Sequence, residues 1–402
     1  MDDEAQFAAR LRAALVDRLR DQGAIRDDRV AEAFATVPRH VFVPGESLET
    51  AYADEVVVTK RDRRGIVVSS VSAPQIQAVM LEQARLAPGM RALEIGSGGY
   101  NAALMAELVG EEGEVTSVDI DPEVIDRARR CLAEAGYARV RAVLADAEDG
   151  VPEHAPYDRV IVTVAAWDIP PAWVDQLAED GSITVPLRMC GLTRSIAFAR
   201  DGGRLVGESV EPCGFVAMQG SGAHAERLLF LRDREVVLLF DEGLPDEPES
   251  LDGVLDLPRA EAWSGVMVGG VEPFDTLHLW LATALPGFCL LAVDPLLDSG
   301  VVSPANRQAC AAVVDVGAFA YLTVRRVSGR GRSRYEFGVY AHGRDADGLA
   351  DRMAEQIGHW DRRHRSGPGP RITAYPAGTP DERLPGGQVV DKRHTRLVIT
   401  WP

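Results

Sequence analysis

The segment Arg91–Ala106 reads RALEIGSGGYNAALMA. Apolar residues lead into Glu94-Ile95, Gly96-Ser97-Gly98-Gly99 turns, and Tyr100–Leu104 has the composition of a helix start. Strand, glycine turn and helix form the unit by which a doubly wound sheet brings backbone N–H groups against a nucleotide-like ligand. Glycine is needed where a Cβ would block the tight turn or the ligand's close approach. The spacing is not G-x-G-x-x-G, which argues against a dinucleotide. Asp119 closes the next apolar run, Val115–Val118, where a carboxylate is placed to accept both hydroxyls of a ribose. Turn and acid together suggest S-adenosylmethionine as ligand; a purely structural turn is the alternative.

Outward from this segment, strand and helix patterns alternate from Gly89 to about Leu205. Apolar runs at Ala92–Ile95, Val115–Val118, Val140–Leu144, Arg159–Val164 and Gly181–Val185 enclose helical patterns at Asn101–Val109, Pro122–Ala135 and Pro171–Leu177. This is the signature of a mostly parallel sheet, with ligand contacts at the carboxyl ends of its strands. Arg194–Phe198 and Arg204–Ser209 read as late antiparallel strands. Upstream, Phe7, Leu11, Leu15 and Leu19 give one helix face, a second helix covers Asp28–Thr36, and Val41–Val43 and Glu55–Thr59 read as extended. Ser72-Ala73-Pro74 starts a helix that continues through Leu86.

Downstream, Cys213–Gly222, CGFVAMQGSG, is glycine-rich and fits no regular element. Asp241–Asp256 is rich in Asp, Glu and Pro and reads as an exposed linker. Strand patterns then recur at Gly265–Gly269, Phe288–Val293, Phe319–Val324, Tyr335–Ala341 and Gln388–Thr400. A helix with Leu349, Met353, Ile357 and Trp360 on one face covers Asp345–Arg365. The expected organisation is an α/β domain over residues 1–240, an acidic linker over 241–258 and an α+β domain over 259–402.

A chain of 402 residues is long enough for two or three cores. Its net charge of −18 argues against nucleic acid as a partner. Residues 305–402 carry 16 basic against 10 acidic side chains, with arginines at 325, 326, 330, 332, 334, 362, 363 and 365. This contrast suggests a peptide-binding accessory domain. Five scattered cysteines without a C-x-x-C point to a reducing cytoplasm and no structural zinc. No apolar run has the length of a membrane span, and the acidic start Met1-Asp2-Asp3-Glu4 is unlike a signal peptide.

Five motifs resemble the protein L-isoaspartyl O-methyltransferases over the first half of the chain. They are Val37–Pro44 (VPRHVFVP), Ala51–Asp54 (AYAD), Val71–Pro74 (VSAP), Leu93–Leu104, and Ala155–Thr163 (APYDRVIVT). The resemblance implies a class I S-adenosylmethionine-dependent methyltransferase fold (Rossmann-like) for the first domain. It implies methyl transfer to a peptide carboxylate, with S-adenosylhomocysteine as product. The carboxylate is already ionised at neutral pH, so the enzyme has mainly to desolvate and aim it. The next backbone nitrogen can then attack the ester carbonyl and expel methanol to close a succinimide, and water opens that ring to aspartate or isoaspartate.

Cofactor contacts are expected from Glu94, Gly96, Ser97, Gly98, Asn101, Asp119, Ile120, Asp146 and Ala147. Ser72 is expected beside the accepting carboxylate, with Asp54, Val71, Ala73 and Arg194 toward the substrate. Each has a plainer alternative: a helix cap for Ser72, a turn residue for Asp54, a solvated acid for Asp146, a surface arginine for Arg194. No metal is expected, and oligomeric state is not legible. The glycine turn is one residue shorter than is usual in the family, and Trp167–Trp173 and Arg188–Phe198 depart from its usual wording. With the extra C-terminal domain, these departures resemble the actinobacterial branch associated with ribosomal peptides (FxLD-system or lanthipeptide). That branch implies an ordinary aspartate in a precursor peptide as substrate. A general L-isoaspartyl (D-aspartyl) repair enzyme and a catalytically silent peptide-binding module are the alternatives.

Overall fold

The computed structural model describes residues 2–270, 272–327 and 333–402. Helices α1 (Asp2–Asp21), α2 (Asp28–Thr36) and the single-turn α3 (Leu48–Ala51) precede an antiparallel ribbon, β1 (Val57–Arg61) and β2 (Val67–Val71). Leu15 and Leu19 of α1 are buried, as their four-residue spacing requires. Asp27 caps α2 by accepting from the Arg29 N–H at 2.8 Å. Val41–Val43 is not extended: Arg39–Phe42 forms a 3-10 turn. Such a turn eclipses positions three apart, and here it lays Arg39 and Phe42, both fully buried, against the same Tyr100 ring.

The alternating region follows as α4 (Pro74–Ala84), β3 (Arg91–Ile95), α5 (Tyr100–Val109), β4 (Glu114–Asp119), α6 (Pro122–Glu134), β5 (Arg141–Leu144), β6 (Tyr157–Val162), α7 (Pro171–Asp175), β7 (Leu177–Met189), β8 (Leu192–Asp201) and β9 (Arg204–Pro212). Strands β3 to β7 pair in parallel, and β8 and β9 run antiparallel beside β7. The second sheet is antiparallel throughout. It contains β10 (Arg227–Leu231), β11 (Val236–Phe240), β12 (Ala260–Gly269), β13 (Phe288–Val293), β14 (Cys310–Asp315), β15 (Ala318–Val327) and β16 (Arg334–Gly343), in the order β10-β11-β13-β14-β15-β16-β12. Helices α8 (Asp275–Ala284) and α9 (Ala346–Arg363) accompany it, and the expected α9 face is buried.

The chain then returns. Strands β17 (Arg371–Pro376), β18 (Gln388–Asp391) and β19 (Thr395–Thr400) extend the first sheet, giving ten strands in the order β18-β19-β17-β9-β8-β7-β6-β3-β4-β5. The second sheet is therefore an insertion between β9 and β17, not a C-terminal domain over 259–402. The expected boundary at 240 also shifts, because β10 and β11 pair with each other and with β13. Strand patterns show burial but not which edge a strand completes. Here Ile372, Ala374, Leu397 and Ile399 join the core of the first sheet.

The stretch 241–258 is exposed over most of its length, as expected, but it is anchored at four buried residues. Asp241 is buried and bonded to Arg188 and the Gly191 N–H, and Leu251, Val254 and Leu255 pack into the second core. Its acids are partly consumed by these contacts, which composition alone hides.

One buried cation ties the N-terminal layer to the first sheet. Arg39 donates through Nε to the Ala51 carbonyl at 2.8 Å and through Nη1 to Gln77 Oε1 at 3.0 Å. Its Nη2 reaches the carbonyls of Ser72 at 2.9 Å and Glu55 at 3.4 Å. Its guanidinium lies 4.9 Å from the Tyr100 ring centre. Replacing Arg39 with Met would leave several buried acceptors without donors, at about 1–3 kcal/mol for each such group. Urea unfolding of Arg39→Met should show a loss of at least about 3 kcal/mol; a loss below about 1 kcal/mol would remove Arg39 from this role.

Candidate active site

Gly96 begins the turn after β3 with φ +93°, and a Cβ there would lie 2.8 Å from Thr163 Oγ1 and 2.9 Å from Val164 Cγ1. Its N–H bonds the Val118 carbonyl at 2.9 Å, and its carbonyl accepts from Thr163 Oγ1 at 2.6 Å. The ends of β3, β4 and β6 thus meet at one residue that cannot carry a side chain. Gly99, φ +82°, sits against the Phe42 ring, so the shortened turn still delivers the chain into α5. At Gly98 the approach comes from β2: an added Cβ would lie 3.6 Å from the Ser70 carbonyl and 3.8 Å from Val71 Cγ2.

Asp119 stands at the end of β4, most of its surface withdrawn from water. Its Oδ2 accepts the Ser97 N–H and its Oδ1 the Asp121 N–H, both at 2.9 Å. Each oxygen keeps a lone pair for a further donor. Burial raises its pKa, partly offset by those two N–H bonds. Below the turn, Glu94 is fully buried. Ser117 Oγ donates to its Oε2, whereas Oε1 has no partner, and Ser97 Oγ is also buried and unpartnered. Gly96, Asp119, Ile120 and Ala147 line one cleft with Val68, Val164, Ala217, Met218 and Gln219. Asn101 is buried in the first turn of α5.

The glycine-rich stretch Cys213–Gly222 closes this cleft. The Met218 N–H bonds the Ala165 carbonyl at 3.0 Å, the Ala165 N–H bonds the Val216 carbonyl at 2.8 Å, and Gln219 Nε2 reaches the Val68 carbonyl at 3.4 Å. Gly220, φ +75°, lies where a Cβ would be 2.5 Å from Asp146 Oδ2 and 2.7 Å from Ile120 Cδ1. Asp146 accepts the Ser221 N–H at 2.8 Å and the Glu148 N–H at 3.1 Å. It fastens the loop, and is not a freely solvated acid. Sequence reading missed Val68, Val164, Ala217, Met218 and Gln219; the run of small residues at 213–222 was the signal.

At the other side of the turn, Val71-Ser72-Ala73 leads from β2 into α4. Ala73, not Ser72, is the N-cap residue, and it supplies no side-chain bond. Asp54 does that work from outside, accepting the Gln75 N–H at 2.8 Å. The Ser72 side chain is half-buried and its hydroxyl bonds nothing among the described residues. Arg194 is elsewhere: it is buried beside α8, bonded to the carbonyls of Thr193 at 2.9 Å and Asp275 at 3.0 Å. It is neither a surface arginine nor among the cleft residues, because alternation along β8 turns Ser195 toward α4 and Arg194 away from it. His40 is structural, with Nδ1 2.8 Å from the Tyr52 hydroxyl.

Two arginines of the basic C-terminal region are engaged within the fold. Arg325 pairs with Glu336 and covers the Trp263 ring, and Arg365 bonds Asp361 and Glu272. Arg330 and Arg332 lie outside the described residues. No helix among the described residues is long and apolar enough to cross a membrane.

Residues 10–223 match the family model of protein-L-isoaspartate(D-aspartate) O-methyltransferase. The chain belongs to this family. It is a carboxyl O-methyltransferase, and S-adenosylmethionine is its methyl donor. Named relatives are the protein-L-isoaspartate O-methyltransferases of Methanococcoides burtonii and Hyperthermus butylicus. The first is 44% identical over 162 residues, covering 40% of this chain and 77% of the relative. The second is 40% identical over 220 residues, covering 52% and 88%. A solved protein-L-isoaspartate O-methyltransferase shares the fold with TM-score 0.50 and 24% identity, over 87% of this chain and 92% of that one. The likeness reaches well beyond residue 223, so a second domain does not set this chain apart from such enzymes.

The residues present fit the donor: an acid with spare lone pairs at a strand end, a turn without Cβ atoms, and two buried unpartnered oxygens beneath it. Burial pushes the Glu94 carboxyl up to about 7; nearby Asp119 adds to this, and the hydrogen bond from Ser117, with the Asn101 amide nearby, opposes it. The protonated form therefore favours the fold fully below the unfolded pKa, and this contribution is lost as pH rises through about 7. Burying the ionised form then costs on the order of 3 kcal/mol. Glu94→Gln should raise the thermal midpoint of the ligand-free protein more at pH 8 than at pH 5. An equal change at both would mean that Glu94 does not titrate in the fold.

Proposed function

We propose that the chain methylates the free carboxylate of L-isoaspartyl residues in proteins and peptides, as a repair enzyme does. The names of its relatives support this substrate over an ordinary aspartate in a ribosomal precursor peptide. The observation that supports the site is the approach of Ser70 and Val71 to Gly98, which brings the chain that leads into Ser72 against the cofactor turn.

In this reading Asp119 accepts the ribose hydroxyls, and Ile120 and Ala147 flank the adenine, with Asp146 holding the covering loop. Gly96, Ser97 and Gly98 present backbone to the methionine part, which Glu94 and Asn101 orient from below. The bound donor supplies a sulfonium methyl group; a carboxylate oxygen forms the new O–CH₃ bond as the S–CH₃ bond breaks, and a neutral thioether leaves. No general base is needed, since the nucleophile is already ionised. Ser72 donates a hydrogen bond that fixes one carboxylate oxygen while the other attacks. Val71 and Ala73 shape the entry, and Asp54 keeps the start of α4 in place. The gain is chiefly orientation and exclusion of water.

Labelled S-adenosylmethionine with two peptides, alike except for an isoaspartyl or aspartyl residue, tests the reading. Label should pass to the isoaspartyl peptide alone; transfer to the aspartyl peptide would favour the peptide-tailoring activity instead. Removing a hydrogen bond to a charged group costs about 1.5–3 kcal/mol, so Ser72→Ala should lower kcat at least about tenfold. Affinity for S-adenosylhomocysteine should stay unchanged in that variant. Asp119→Ala should reverse the pattern, weakening S-adenosylhomocysteine at least about tenfold by titration calorimetry. Unchanged affinity would exclude Asp119 from the ribose site.

A further inference from the structure

Strand β9 is paired along its length on one side only. With β8 it runs from Arg204 to Pro212, but β17 covers only Leu205 and Val206 on the other side. A register shift makes Glu208 an extra residue, and such a bulge bends its strand away from its neighbour. Beyond it, Glu208–Pro212 has no strand partner on its outer edge among the described residues. The facing lip, Gly367-Pro368-Gly369-Pro370, contains two prolines that offer no N–H to close the gap. Between them lies a groove of about 950 Å³.

The groove is cationic. Arg194 lines it at 8% exposure, held by two backbone carbonyls and by no carboxylate side chain among the described residues. Arg371 and Arg383 on its lips likewise have no acidic partner among those residues. Arg204 is paired with Asp201 and Glu208 with Arg85, which leaves Asp275 as the one unneutralised acid on the walls. Ser209 also lines a second trough, which follows α4 through Gln83 and Val79 to Gln75. The Gln75 N–H is held by Asp54, at the mouth of the site containing Ser72. The two hollows thus meet at Ser209, and the trough, which also carries Glu82 and Glu211, ends at Gln75.

We propose that this groove binds an extended, acidic segment of the methyl-accepting polypeptide as an added strand on β9, away from the residue being methylated. The proposal rests on the function argued above. Edge backbone groups give a bound chain its register whatever its sequence, as a broad-range acceptor site needs. The guanidinium forks then select carboxylates. A second copy of this chain is disfavoured as the occupant by its own charge of −18. Attraction at the groove acts within about 10 Å, inside the screening length, and so is set by the local arginines.

The test uses the full chain and a fluorescent, unstructured acidic peptide that lacks isoaspartate. At low salt its anisotropy should report binding. Arg371→Glu, at an exposed lip where folding is not at risk, should weaken it about tenfold, and Arg194→Gln by a similar factor. With acceptors, both variants should raise KM for an isoaspartyl peptide carrying the acidic segment. They should leave kcat/KM for a short isoaspartyl peptide and affinity for S-adenosylhomocysteine unchanged. Absent binding by the parent protein, equal binding by Arg371→Glu, or equal binding of a basic peptide would overturn the proposal. If neither acceptor is methylated by the parent, the functional reading fails, and the anisotropy arm still decides the groove.

Discussion

The placement of the Val71–Ala73 segment depends on a buried charge that forms no ion pair among the described residues. Arg39 is buried among carbonyls, one amide and an aromatic face, contributed by α3, α4, α5 and the loops at Glu55 and Ser72. A guanidinium suits this role because it carries five donors in a fixed plane and stays protonated when desolvated. An aliphatic side chain would fill the space but would not fix the Ser72 carbonyl relative to Tyr100 at the start of α5. The position of the Val71–Ala73 segment against the glycine turn is therefore defined by hydrogen bonds, not by packing alone.

Around that anchor the cofactor cleft is assembled by two kinds of close backbone approach. Gly96 is squeezed between strand ends, and Gly220 is squeezed against Asp146 and Ile120. The first is part of the rigid sheet. The second belongs to a loop held by a handful of hydrogen bonds, so the wall of the cleft that must open for exchange is also its weakest-held wall.

Much of the first sheet was legible because each of its strands is bounded by a turn and followed by a helix of matching period. The turn at Gly96 and the strand-end position of Asp119 were legible because the glycine run and the apolar run before the acid mark where β3 and β4 end. Arg39 was quoted within a motif but given no role, since burial of an arginine depends on carbonyls that no pattern locates. Arg194 failed differently. Its chemistry as a carboxylate binder was read from its type, but the parity of β8 turns it toward α8, away from the cleft. The strands at 371–400 were visible as strands, yet their partner lies some 170 residues earlier, and strand patterns do not encode partners.

That return has a consequence for how the molecule is made. During synthesis the residues through β9 leave the ribosome with their sheet edge open, and its partner β17 emerges only after the whole inserted domain. The inserted sheet pairs with its own near neighbours, whereas the first sheet must wait for a contact of very large sequence separation to complete its β9 edge. For that interval the edge of β9 is the surface most open to mispairing with another nascent chain. Pairing with β17 later covers only Leu205 and Val206, and the bulge at Glu208 interrupts the run on which a stray strand could keep register.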